Sequence, residues 1–249
     1  MPKYSICMLC YNDSDNLKAS LDSLIEFGRL QPIEIVVVDN YSTDGSWETL
    51  KDYSFKNGIT TLQKKCKRGA GRQTALMQSH GDYILGQMDC DDVFSPSGLN
   101  SLVRAYHEHF EGKLMMTTTT SNITIGPRTL IMSLGGWRDL NWWEEWDLWA
   151  RAASKGKYAC LPYPDHTPPH VRIIDKDARR IALKRERFRT RYERYRDAIR
   201  IGKRAFAKDE PVSPSQRLIY TYAKLAVILQ RSRLEPVPDP DFQRYVSSV

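Results

Sequence analysis

Three carboxylate clusters in this 249-residue chain have the types and spacing to do chemistry. Asp89-Cys90-Asp91-Asp92 directly follows the apolar run DYILGQM. Three carboxylates in four positions repel one another unless solvent or a cation separates them. Hard divalent cations such as Mg2+ or Mn2+ take oxygen ligands and bridge to phosphates, which makes this turn a candidate metal site. The same residues could instead cap the next helix. Asp39-Asn40-Tyr41-Ser42-Thr43-Asp44-Gly45 follows IEIVVV. A carboxylate there can accept hydrogen bonds from a base or ribose, and Thr43 can equally serve as a plain helix cap. The third cluster is Trp142-Trp143-Glu144-Glu145-Trp146-Asp147-Leu148-Trp149. Trp142, Trp146 and Trp149 share one helical face, and two of them are expected in the core. Glu145 lies off that face. A carboxylate beside aromatic rings takes a raised pKa and can act as a general base.

The elements around these clusters place them at one edge. Residues 4–10 and 33–38 are apolar and rich in β-branched residues, as in buried parallel strands. Between them Leu17, Leu21, Leu24 and Ile25 keep helical spacing, with Asn12, Asp13 and Ser14 as caps. This is a βαβ unit. Helices are predicted over 43–56 and 69–79, with strands over 59–62 and 82–88. Alternating β and α elements argue for a parallel sheet with helices on both faces, which binds ligands at the strands' C-terminal ends. Further on, the pattern predicts helices from Pro96, over 127–134 and over 143–155, one or two strands within 114–125, and a strand over 157–161. Residues 175–207 then read as a basic helical stretch, and 215–233 as a last helix.

The chain carries 37 Lys and Arg against 30 Asp and Glu. Fifteen of the basic and five of the acidic residues fall within 172–208, leaving 22 basic and 25 acidic elsewhere. The basicity therefore belongs to the C-terminal segment. There Ile181, Phe188, Tyr192, Tyr195, Ile199 and Phe206 form one apolar stripe among arginines. Such a stripe docks on the rest of the chain or on a second subunit, as in a homodimer, or lies on an anionic membrane surface. Nothing else in the sequence supports nucleic-acid binding. The start of the chain lacks an apolar signal core and no apolar run spans a bilayer. A cytoplasmic location, peripheral on the inner membrane face, is the expectation. Cys7 and Cys10 form a CxxC, but three residues apart on a strand they face opposite sides, so they are expected to be core residues.

Taken in order, Tyr11-Asn12, DNYSTDG, Gly69-Ala70-Gly71-Arg72, GDYILGQMDCDD, Gly135-Gly136 and EEWDLWAR resemble glycosyltransferase family 2 between Tyr4 and His170. The resemblance implies a GT-A fold: α/β, with a mixed, mostly parallel central sheet flanked by helices and here a C-terminal helical appendage. It implies a catalytic domain over 1–171, with a nucleotide-sugar half (1–95) and an acceptor half (96–171), and a basic helical extension over 172–249. The implied activity is inverting transfer from a nucleotide-diphosphate sugar to a hydroxyl of a glycan or lipid-linked acceptor, with Mn2+ or Mg2+. By the same resemblance Tyr11, Asn12, Asp39 and Asp44 hold base and ribose, and Arg68, Gly69 and Arg72 lie near the diphosphate. Asp91 ligates the metal, while Asp89 serves the metal, ribose or sugar. Glu145 is the base, Trp143 and Glu144 face the acceptor, and His170 (less so His166) completes the metal site. The chain departs from the pattern with Glu144-Glu145 in place of an ED pair, with Gln73 in place of Asn, and with no arginine just before His170. A nucleotidyltransferase is the rival enzyme, but it calls for a Gly-rich basic loop after the first strand, and here that loop is acidic. A catalytically silent nucleotide-sugar binding module is the other rival, opposed by the intact acids.

Overall fold

The computed structural model describes residues 4–117, 123–161, 170–172, 187–202, 213–232 and 234–235. Seven strands form one sheet in the order β3-β2-β1-β4-β7-β6-β8. They are β1 (Tyr4–Cys10), β2 (Ile33–Asp39), β3 (Thr60–Gln63), β4 (Tyr83–Asp89), β6 (Leu114–Thr117), β7 (Thr124–Pro127) and β8 (Tyr158–Leu161). β1, β2, β3 and β4 run parallel, β7 is antiparallel to β4 and β6, and β8 pairs parallel with β6. A small second sheet pairs β5 (Asp92–Phe94) with β9 (His170–Arg172). The mixed, mostly parallel sheet anticipated from the sequence is thus observed.

The apolar runs form strands because both sides of the sheet are covered. Ile6, Met8 and Cys10 face one core with Leu17, Leu21, Leu24 and Phe27 of α1 (Ser14–Gly28) and Leu99, Leu102, Val103 and Tyr106 of α4 (Pro96–His109). Cys7, Val36 and Val38 face the other core. There they join Ala75 and Leu76 of α3 (Arg68–Gln78) and Trp146 and Trp149 of α6 (Glu144–Ser154). The two cysteines of the CxxC therefore lie in different cores, as strand alternation requires. Full burial of each Leu, Ile, Val, Phe or Met among them contributes roughly 1.5–3 kcal/mol, which explains why these positions are apolar.

The remaining helices are α2 (Ser46–Asn57), α5 (Arg128–Ser133), α7 (Arg187–Arg200) and α8 (Pro214–Leu229). Two helix starts differ from the sequence expectation. Thr43 does not cap α2; Gly45 does, at φ +93°, and the Thr43 N–H donates to Asn12 Oδ1 instead. α6 begins at Glu144, after Trp143 turns into the left-handed region at φ +67°. Trp142 consequently lies outside the helix, while Trp146 and Trp149 are core.

α7 and α8 pack on each other, with Tyr192, Tyr195 and Ile199 of the basic stripe meeting Ile219, Tyr220 and Ala223. Ile201, just past α7, enters the core that contains α6. The stripe is therefore used internally over this span. Ile181, Phe206 and the side chain of Phe188 lie outside the described residues. No helix among the described residues is long and apolar enough to cross a membrane.

Candidate active site

β1 sends its chain to β2 and β3 on one side, and the chain then returns to β4 on the other side. The loops leaving β1 and β4 part at this switch point, where open α/β sheets bind ligands. Leu9 stands in register with Asp89, so Tyr11-Asn12-Asp13 and Asp89-Cys90-Asp91 leave neighbouring strand ends. β4 gains one residue on β1 between Ile6 and Met8, beside Gln87 at φ +61°. Such bulges re-aim the chain beyond them, and this one lies just ahead of the acidic turn.

The β2 end is a hydrogen-bonded frame. Buried Asp39 accepts from the Ser42 N–H at 3.0 Å, from the Ser42 hydroxyl, and from Gln63 Nε2 at 3.0 Å. Ser42 Oγ in turn accepts from the Asn12 N–H at 2.9 Å. Asp44 accepts from the Ser14 N–H at 2.9 Å and from Ser46. Burial pushes its carboxyl up, but the Ser46 and Ser14 donors outweigh this and hold it at about 2. Tyr11 and Tyr41 stand exposed beside this frame, a surface on which a planar base can stack.

At the β4 end, one oxygen each of Asp89, Asp91 and Asp92 lies within 4.8 Å of the others. Asp13 faces them: burial first, then Asp91, Asp89 and Asp44, push its carboxyl up to about 6 against the Tyr11 N–H. Acids outnumber Arg68 and Arg72 here, so a divalent cation would offset charge, and hard carboxylate oxygens suit Mg2+ or Mn2+. Cys10, Asp13 and Cys90 also converge. The Cys10 contact, then burial, raise the Cys90 thiol well above its ordinary value.

Arg72 joins this end to α6. Only 3% exposed, it donates from Nη2 to Asp89 Oδ1 at 3.1 Å. The same nitrogen lies 2.8 Å from Glu145 Oε1, and Nε lies 3.8 Å from Glu144 Oε1. Burial alone would lower its proton affinity, but Glu145, Asp89 and Glu144 raise it, so the guanidinium stays charged. For Glu145, burial raises the carboxyl, Arg72 opposes, and Glu144 and Asp89 add to the rise; the balance is about 8. Burial likewise raises Glu144 against Arg72 and Arg68.

α3 can bring Arg72 this close because Gly69 and Gly71 stand in its first turn. A Cβ on Gly69 would stand 1.9 Å from the Arg138 carbonyl oxygen, and one on Gly71 2.5 Å from Leu9 Cδ2. The Gly69 N–H donates to the Leu140 carbonyl at 2.8 Å. Loop 138–143 then leads to Trp143, whose indole donates to the Arg194 carbonyl at 3.3 Å. Trp142 lies under Arg68 (5.3 Å) and Arg194 (5.5 Å). Asp147 has a structural part, held by Arg138 and, at 2.8 Å, by Arg151.

The structure thus brings Arg72, Asp89, Glu144 and Glu145 into contact, with Asp91 beside them and Arg68 and Gly69 on the same helix start. Tyr11, Asn12, Asp39 and Asp44 form the neighbouring frame. His170 lies in β9, its backbone opposite Phe94. Its side chain, and all of His166, lie outside the described residues. Sequence reasoning assigned Asp13 only to a cap. Its place in an acidic loop after β1 was the available signal. The helix α7 that holds loop 138–143 gave none, being some fifty residues away in the chain.

The model of glycosyl transferase family 2 matches residues 5–147. A poly(ribitol-phosphate) β-glucosyltransferase of Bacillus spizizenii is 32% identical over 129 residues, 50% of this chain and 19% of that protein. WfaP of Escherichia coli, a UDP-Glc:α-D-GlcNAc-diphosphoundecaprenol β-1,3-glucosyltransferase, is 29% identical over 104 residues, 41% of each chain. The chain spans about a fifth of the first curated relatives it matches. Among solved structures, TarS of Staphylococcus aureus superposes with a TM-score of 0.62 at 17% identity, covering 90% of this chain and 48% of that one. The mannosyltransferase PcManGT of Pyrobaculum calidifontis, in complex with GDP-Man and Mn2+, gives 0.61 at 17% identity, covering 93% and 75%. These likenesses show the fold, which is of the GT-A type. With the family match spanning more than half of its length, and the acidic turn and Glu pair on one crevice, this chain belongs to glycosyl transferase family 2.

Proposed function

We propose that the chain transfers a sugar from a nucleotide diphosphate to an acceptor hydroxyl, inverting the anomeric carbon. The observation that carries this reading is the Arg72 bridge: one buried guanidinium touches Asp89 of the donor crevice and Glu145 of α6. A base for the acceptor thus stands one side chain from the group that would face the leaving phosphates. Tyr11, Asn12, Asp39 and Asp44 are assigned to base and ribose, and Arg68, Gly69 and Arg72 to the diphosphate. Asp91, with Asp89, would hold Mn2+ or Mg2+, and Trp143 and Glu144 line the acceptor side. Such a cation would supply Lewis-acid stabilisation of the diphosphate.

Arg72 adds a fixed positive charge where the leaving group gains a negative one. Glu145 takes the proton of the acceptor hydroxyl while that oxygen forms its bond to the anomeric carbon. The bond to the diphosphate breaks on the opposite face, so one displacement inverts the configuration. Burial raises the Glu145 carboxyl against Arg72, so its ionised form is a stronger base than an ordinary carboxylate. The names of two relatives, with a poly(ribitol-phosphate) and a diphosphoundecaprenol-linked acceptor, support a glycan or lipid-linked acceptor here.

A panel of nucleotide sugars with Mn2+, read by thermal unfolding, tests the donor assignment. Ligand at a hundred times its Kd stabilises by about 2.7 kcal/mol. The expected result is a rise with donors of one base that is weakened in Asp91→Asn. No rise with any donor, or the same rise in the variant, would count against it.

A further inference from the structure

Helix α7 holds the loop that presents Glu145, and one buried carboxylate stands at the centre of its contacts. Asp197 of α7 is 0% exposed. Its Oδ2 accepts the backbone N–H of Asn141 at 2.7 Å and of Trp142 at 3.2 Å. Its Oδ1 accepts from Arg196 Nε at 3.0 Å and lies 3.5 Å from Arg200 Nη1. Around it, Glu193 accepts from Asn141 Nδ2 at 2.8 Å, and Arg200 donates to the Asp139 carbonyl at 2.8 Å. The Arg194 guanidinium stacks over Trp143 at 4.9 Å.

Every residue from Asp139 to Trp143 except Leu140 is therefore tied to α7. Leu140 is tied instead to α3, the helix that carries Arg72. The next two residues are Glu144 and Glu145. Trp143, the hinge between loop and helix, sits at φ +67°, a conformation that a bulky side chain keeps only when its surroundings enforce it.

We propose that Asp197 is a positioning residue for Glu145, and that α7 is thereby part of the transfer machinery and not a passive appendage; this rests on the transferase reading above. The loop amides converge on one carboxylate oxygen, and Arg196 and Arg200 fix the other, so the carboxylate holds the loop in one place. Displacement of a reacting group by about 1 Å costs on the order of a hundredfold in rate. Loss of Asp197 should thus appear in turnover, while the donor frame at Asn12, Asp39 and Ser42 keeps its own hydrogen bonds.

The test uses the full chain with Asp197→Ala, Asp197→Asn and Glu193→Ala. It measures kcat, KM for donor and acceptor, donor affinity by calorimetry, and amide hydrogen exchange. For Asp197→Ala the expected result is a roughly 10- to 100-fold fall in kcat, with donor affinity within about threefold. Exchange should quicken over 140–146 with the β1–β4 strands unchanged. Asp197→Asn, which still offers an oxygen to the two amides, should recover part of kcat. Glu193→Ala should lose roughly two- to fivefold, and it keeps the test alive if Asp197→Ala does not fold. Faster loop exchange with unchanged kcat would overturn the positioning role and leave the transferase reading intact. Donor affinity and kcat falling in the same proportion would mark general damage and also overturn it. A wild-type chain that transfers no sugar from any donor would sink the underlying reading itself, whatever the variants do.

Discussion

Arg72→Met should destabilise the chain strongly, and in a pH-dependent way. The substitution keeps an unbranched side chain in a buried slot but removes the cation shared by Asp89, Glu144 and Glu145. Asp89 has a 36% exposed side chain, so water screens it and its share is small. The cost rests on Glu144 and Glu145, whose side chains are 4% and 14% exposed. Where the two acids are ionised, breaking a buried ion pair by removing one partner costs about 3–5 kcal/mol, so the full cost belongs to the upper end of the pH range. In a chain of this size about 1 kcal/mol shifts Tm by roughly 2–4 °C, so the fall is about 6–20 °C. The Glu145 carboxyl already stands at about 8, above its ordinary 4.5. A group raised on folding binds more protons in the folded state. Its contribution is fully present below the unfolded pKa and is lost as pH rises through the folded one. Without Arg72 the carboxyl rises further and that loss grows. Circular dichroism melts at about pH 5 and about pH 8 should therefore show a larger deficit for the variant at the higher pH. A deficit under about 1 kcal/mol at about pH 8, or an equal deficit at both, would refute the picture of a charged guanidinium holding two buried acids.

The same crevice gives two more expected outcomes. Gly69→Ala puts a Cβ against the Arg138 carbonyl and should cost about 1–3 kcal/mol in thermal unfolding, with reduced turnover as loop 138–143 shifts. Unchanged stability would mean that the first turn of α3 is not wedged there. Asp91→Asn should abolish the Mn2+-dependent part of donor stabilisation and slow transfer on the order of 10²–10³, measured as sugar released to acceptor across a Mn2+ titration. An unaltered Mn2+ dependence would remove Asp91 from the ligand set.

Much of the sheet was legible because its strands are buried on both faces and read as unbroken apolar runs: IEIVVV is β2, and the acids follow it at its C-terminal end. The alternation of Cys7 and Cys10 was legible for the same reason. Other features depend on contacts distant in sequence. Gln87 takes a left-handed conformation that its type does not announce, and the bulge beside it sets where Asp89 falls. Trp143 reads as the first residue of a helix and instead forms a hinge, because α7 and loop 138–143 hold it there. Arg72 could be placed near a diphosphate from its motif, but not between Asp89 and two glutamates 72 and 73 positions on. The basic stripe over 175–207 was visible as amphipathic. Which surface its Tyr192, Tyr195 and Ile199 would cover was decided by α8.

The most direct measurement is transfer by wild type and Glu145→Ala with a stabilising nucleotide sugar, together with the anomeric configuration of the product by NMR. The expected result is an inverted product from the wild type and a fall in kcat on the order of 10²–10⁴ in the variant, with donor affinity kept within a few-fold. Near-normal turnover in Glu145→Ala, or a product that retains the donor's configuration, would contradict the assignment of Glu145 as the base of a single inverting displacement.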